Sequence, residues 1–116
     1  MNSTHIAKLI ATAAIAVAGL AASPAFAAVD AAAAEATARQ NGCLKCHAIA
    51  KQKDGPSYKE VAAKHKGKPG AEARLYTHIT SGEIAKFPDG HEEEHKIIKT
   101  KDQTEIKNLI SWILSL

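Results

Sequence analysis

Cys43-Leu44-Lys45-Cys46-His47 places two thiols three positions apart and an imidazole directly after the second. On one tight turn, such a pair can bond the two vinyl-derived carbons along one edge of a haem, and the next residue projects its ring beneath the iron. This is the attachment pattern of covalent haem c. Other readings of the same residues are a disulfide beside an idle histidine, a thioredoxin-like redox pair, or half of a zinc site. The redox pair expects a βαβ setting, which the chain does not offer. A zinc site wants four Cys or His ligands, and His91 and His95 leave a Cys2His2 set open.

The ends of the chain differ in kind. Lys8 precedes an apolar and small-residue run from Leu9 to Leu20, and Ala25-Phe26-Ala27 follows as a small-x-small cleavage site. That order predicts a secretory signal peptide over residues 1–27, cut after Ala27. The run is 12 residues long, short of the roughly 20 that span a bilayer, so no membrane span is expected after cleavage. Residues 28–116 then form one domain of 89 residues, a size that buries only about 60 to 65% of its unfolded surface. Its aromatic residues are Tyr58, Tyr76, Phe87 and Trp112. A core so small calls for a staple, and a porphyrin supplies one. The remaining net charge of +2, with export, argues against a nucleic-acid partner.

The periodicity predicts an all-α chain. Asp30 caps an alanine-rich helix to about Gln40, stopped by Asn41-Gly42. Lys51 to Gly55 reads as a loop, and Pro56-Ser57 opens a short helix through about Lys64 that stops near Gly67. Gly70 to Thr80 carries Leu75 and Ile79 at i, i+4, and Ser81-Gly82 ends it. Glu83 to Thr100 reads as a long loop around a Pro88-Asp89-Gly90 turn, and loops of that length tend to be functional. The last helix is the clearest, with Ile106, Leu109, Ile110 and Ile113 on one stripe behind a capping pair, Asp102 and Glu105.

Asn41 to Gly82, with Gly-Cys-Leu-Lys-Cys-His-Ala-Ile, Gly55-Pro56-Ser57-Tyr58-Lys59-Glu60-Val61-Ala62 and Gly70-Ala71-Glu72-Ala73, resembles the short bacterial class I cytochromes c, and so does the ending from Trp112. The resemblance implies a small cytochrome c fold, about four helices around one covalent haem c. It implies a periplasmic electron shuttle between larger redox proteins, monomeric and not an enzyme. By position, the carbonyl of Pro56 would accept a hydrogen bond from the His47 ring and leave the other ring nitrogen for iron. The first and last helices would cross, with Trp112 and the Ile106, Leu109, Ile113 stripe near the haem.

One departure is large. Those cytochromes ligate the sixth iron position with a methionine ahead of the last helix, and the only methionine here is Met1. The candidates to replace it are His65, His78, His91 and His95. His65 sits in a basic helix end, where a solvated histidine near helix carbonyls is the simpler reading, and His78 lies within a helix. His91 and His95 fall in the loop where the family keeps its methionine. Trp112 stands 17 residues after His95, close to the family's separation of about four to five helical turns, whereas counting forward from Gly82 favours His91. The strong final helix fixes the downstream register, so His95 is the expected distal ligand and His91 the second choice.

His91-Glu92-Glu93-Glu94-His95 also matches the H-E-x-x-H of zinc proteases. That motif needs a long helix in a large catalytic domain, and here it follows Pro-Asp-Gly. Ligation by His47 and His95 closes the iron and leaves outer-sphere electron transfer; the rival is a haem sensor whose distal histidine a small ligand displaces. Lys45, Lys51 and Lys53 stand near the attachment motif and can attract an acidic partner.

Overall fold

The computed structural model describes residues 13–19 and 28–116. The signal segment expected over residues 1–27 falls largely, and its cleavage site wholly, outside them. Four helices carry the fold: α1 (Ala31–Gln40), α2 (Tyr58–His65), α3 (Ala71–Thr80) and α4 (Gln103–Ser115), with a 3-10 turn at Cys43–Lys45. Among the described residues no helix is long and apolar enough to cross a membrane.

Each of three helices begins where a side chain satisfies its free N–H groups. Asp30 accepts from Ala33 N at 2.9 Å, and Ser57 and Glu60 form a reciprocal capping box at the start of α2. Asp102 accepts from Thr104 N at 2.8 Å. Glu105 does not close the expected box with it: its carboxylate accepts from the Thr100 hydroxyl at 2.5 Å, and that hydroxyl takes the Asp102 N–H. Gly42, at φ +73°, turns the chain sharply out of α1 into the cysteine turn.

The core lies where α4 crosses α1 and α2. Ala34 and Ala38, one turn apart and fully buried, let the α4 backbone come close. From α4, Ile106, Leu109, Ile110, Trp112 and Ile113 are all buried, and such side chains contribute about 1.5–3 kcal/mol each. The Trp112 ring meets Tyr58 edge-on at 5.7 Å. Asn108 clasps the start of α1, accepting from Asp30 N and donating to Asp30 O, both at 2.9 Å.

The helical core is as expected, but the segment read as one long loop contains an antiparallel hairpin. Strands β1 (Ile84–Lys86) and β2 (Glu92–Glu94) pair Ile84 with Glu94, Ala85 with Glu93 and Lys86 with Glu92. The Pro88-Asp89-Gly90 turn closes it: Gly90 N donates to Phe87 O, Phe87 N donates to His91 O, both at 2.9 Å, and Gly90 has φ +92°. This is the three-residue hairpin loop that needs glycine in its last place. Three glutamates with no alternation conceal the strand, because β2 is exposed on every residue and pairs through its backbone and the Lys86–Glu92 juxtaposition.

Candidate haem site

The site is built on the cysteine turn. Cys46 N and His47 N both donate to Cys43 O, at 3.2 and 3.0 Å, which winds the five residues so that both cysteines and His47 line one cleft. The two cysteines are not bonded to each other. Burial, offset in part by a hydrogen bond with Tyr58, raises the Cys43 thiol pKa, and burial likewise raises that of the Tyr58 hydroxyl. The chain after the turn is held by backbone bonds: Gly55 N to Cys46 O at 2.7 Å, Tyr58 N to Ala48 O at 2.9 Å and Lys59 N to Ile49 O at 3.0 Å.

The His47 ring nitrogen Nδ1 lies 2.7 Å from the Pro56 carbonyl, so Nδ1–H donates and Nε2 is left as a lone-pair donor. Burial lowers the His47 pKa and so favours the neutral ring, the form a metal binds. Gly55 lies against this ring so closely that a Cβ there would stand 2.5 Å from His47 Cε1.

His95 has matching chemistry. Its Nδ1 lies 2.9 Å from the carbonyl of Lys96, again leaving Nε2 free, and burial, followed by the charges of His78 and His47, lowers its pKa. Its ring centre stands 6.1 Å from that of His47. Two imidazoles on opposite sides of one metal ion, each bonded at about 2 Å, need about that spacing.

His91 is disposed otherwise. Both its nitrogens are taken, Nδ1 by Asp89 and Nε2 by Glu93, and its ring stacks on Phe87 at 4.3 Å. The Asp89 hydrogen bond, ahead of Glu93, raises its pKa. Among the described residues no three His, Cys, Asp or Glu side chains converge as a metal-ion site, so the Cys2His2 set left open by the sequence does not assemble. The H-E-x-x-H pattern falls on a strand and its flanks, without the helix a zinc protease requires.

His78, set aside on sequence as a histidine within a helix, lines the site. Its ring lies 4.1 Å from that of His95, and its Nδ1 is 2.5 Å from Glu83 Oε1. Hydrogen bonds from Arg74 first, then His78, hold the Glu83 carboxyl down at about 2. The only prior signal was spacing: Arg74 and His78 stand at i, i+4 on α3, and Glu83 follows directly after the Ser81-Gly82 stop that turns the chain back. His65 lines the cleft beside Lys64.

The cleft encloses about 540 Å³, within the range of cofactor sites. Leu75, Ile79, Ile98, Leu109, Ile110 and Ile113 give it apolar walls. Facing imidazoles, paired thiols on one edge and apolar walls fit a flat, iron-bearing macrocycle.

The comparisons with known proteins agree. The cytochrome c family profile matches residues 31–116. Cytochrome c-551 of Allochromatium vinosum is 33% identical over 79 residues, 68% of this chain and 81% of that protein. Cytochrome c-551 of Pseudomonas aeruginosa is 36% identical over 77 residues, 66% and 70% of the two chains. The class 1 cytochrome MtoD from Sideroxydans lithotrophicus ES-1 superimposes with a TM-score of 0.73 at 63% identity, covering 76% of this chain and 97% of that one.

Proposed function

The chain belongs to the cytochrome c family and carries one covalently attached haem c, and from that premise we propose that it is a periplasmic electron-transfer protein with bis-histidine iron ligation. Cys43 and Cys46 would hold the haem as thioethers, and His47, positioned by the Pro56 carbonyl, and His95 would bind its iron. Haem bound in this way supplies one reversible electron at its iron. The chain's own contribution is to orient both imidazoles through their Nδ1–H bonds, to line the cleft with aliphatic side chains that exclude water, and to leave no coordination position for a substrate. Ligation by methionine raises a cytochrome's potential, so imidazole in its place sets this protein lower than methionine-ligated relatives.

The apolar run ahead of Ala25-Phe26-Ala27 supports export, with the mature chain beginning at Ala28. The partners are larger redox proteins that meet the attachment side, where Lys45, Lys51 and Lys53 are exposed and favour an acidic surface. The mature protein acts as a monomer.

One observation carries the ligation: the ring centres of His47 and His95 stand 6.1 Å apart, each ring with Nδ1 on a backbone carbonyl and Nε2 left over. The purified ferric protein is expected to be low-spin and to lack the weak far-red band of methionine sulphur. His95→Ala opens the iron to added imidazole, and His91→Ala leaves the spectrum nearly unchanged. An unaltered spectrum in His95→Ala would sink the assignment, and opening by His91→Ala instead would move it to His91.

A further inference from the structure

His95 lies outside any helix or strand, yet three separate groups restrain it. Its backbone N–H donates to the Glu83 carbonyl at 2.9 Å, its Nδ1 meets the Lys96 carbonyl, and the His78 ring lies 4.1 Å from its own ring at a tilt of 42°. Two of these restraints pass through Glu83. On its side-chain end, one oxygen accepts from both Arg74 Nη2 at 2.7 Å and His78 Nδ1 at 2.5 Å.

The arrangement links a rigid element to an irregular one. Arg74 and His78 stand one turn apart on α3, and Gly82, at φ +68°, reverses the chain so that Glu83 folds back against them. Space at that reversal is tight: a Cβ on Gly82 would lie 3.3 Å from Ile97 Cδ1 and 3.9 Å from the His95 carbonyl. The side chains of Arg74, His78 and Glu83 are 53, 31 and 29% exposed. Ion pairs this open add little to global stability, so stability alone does not account for two donors on one carboxylate oxygen. What the contact does is fix the tautomer and rotation of His78, whose ring then walls one side of His95.

We propose that Arg74, Glu83 and His78 form a positioning triad for the distal imidazole, setting the plane of the His95 ring and keeping it from swinging out of the cleft. This rests on the reading of His95 as the distal ligand. Glu83 acts twice, through its backbone carbonyl on the His95 main chain and through its carboxylate on the His78 ring. A small ligand can reach the iron only when His95 leaves, so the triad governs how often the site opens.

The test uses the haem-loaded protein and added imidazole as the probe. E83Q keeps the side-chain shape and removes the charge; H78N keeps a donor toward Glu83 and removes the ring. Both are expected to remain low-spin at rest and to take up imidazole about tenfold faster, the scale on which loss of one charge-assisted hydrogen bond acts. Their ferric paramagnetic resonance should shift, because it reports the angle between the two imidazole planes, and E83D should recover part of the slow uptake. Thermal midpoints should move little, which separates positioning from general loosening. If E83Q does not retain haem, H78N and R74M give the same reading. Unchanged uptake and resonance in H78N, E83Q and R74M, with H95A still opening the iron, overturns the triad. A low-spin H95A that ignores imidazole overturns the ligation itself.

Discussion

Gly55→Ala adds one methyl group at the tightest contact in the site. The new Cβ would lie 2.5 Å from His47 Cε1, 2.8 Å from Nδ1 and 3.1 Å from Nε2. Ordinary contact begins near 3.4 Å, so ring and methyl must separate by about 0.9 Å at the closest pair. The backbone has little room to give, since Gly55 N is bonded to Cys46 O at 2.7 Å and Gly55 O accepts from Lys53 N at 3.1 Å. Gly55 does not have a left-handed φ, so the effect is steric and carries no backbone penalty. If the ring yields, its 2.7 Å bond to Pro56 stretches beyond hydrogen-bonding range. Overpacking of this kind costs about 1–3 kcal/mol and the lost bond about 0.5–1.5 kcal/mol, together about 2–4 kcal/mol. A domain with about 5–15 kcal/mol in hand still folds. Chemical denaturation of the holoprotein should therefore show a lower midpoint with unchanged slope, and haem-loaded yield should fall. The midpoint potential should rise, because a weakened Nδ1–H bond makes His47 a less basic ligand. Wild-type stability and potential in Gly55→Ala would refute the steric reasoning.

Asn41→Ala should cost about 1–3 kcal/mol by denaturant titration, since Asn41 Oδ1 accepts from both Lys99 N and Thr100 N, at 2.8 and 3.2 Å, and those donors lose their partner. Leu109→Ala, at a position 1% exposed, should cost about 2–5 kcal/mol and loosen the haem cleft it lines, read as broadened thermal unfolding and faster loss of the visible spectrum's sharpness. Acid should detach the distal ligand before the thioether-held haem is lost. Protons compete with iron for the His95 imidazole, and a low-spin to high-spin change on acid titration is the measurement. Glu83, held at about 2 against an ordinary 4.5, loses its charge on His78 as pH falls between those two values, and the paramagnetic-resonance shift expected of E83Q should appear across that range. His91 has the opposite sign: its raised pKa makes its clamp on Asp89 and Glu93 present below 6.5 and lost as pH rises through the raised value, so His91→Asn should matter less in alkali than in mild acid.

Much of this protein was local and therefore legible along the chain. The cysteine turn is five consecutive residues whose geometry follows from their spacing. Ser57 with Glu60, Asp30 and Asp102 mark helix starts within one turn of themselves, and the Ile106, Leu109, Ile110, Ile113 stripe declares its buried face by period alone. The hairpin was half legible: Pro88-Asp89-Gly90 announced its turn, but three consecutive glutamates announced no strand, because an exposed two-stranded ribbon is held by backbone bonds that side-chain pattern does not encode.

What depended on tertiary structure was every relation between distant segments. Counting residues placed both His91 and His95 in the distal loop and could rank them only by register. The hairpin turn decided which ring faces His47, by handing both nitrogens of His91 to Asp89 and Glu93 and carrying His95 back across Glu83 toward the cleft. His78 looked like an ordinary helical histidine until the reversal at Gly82 set Glu83 against it. Gly55 looked like a loop glycine until His47 was seen lying on it. In each case the determining contact joins residues from different elements, and its distance is set by how α3, α4 and the hairpin pack, which no local propensity contains.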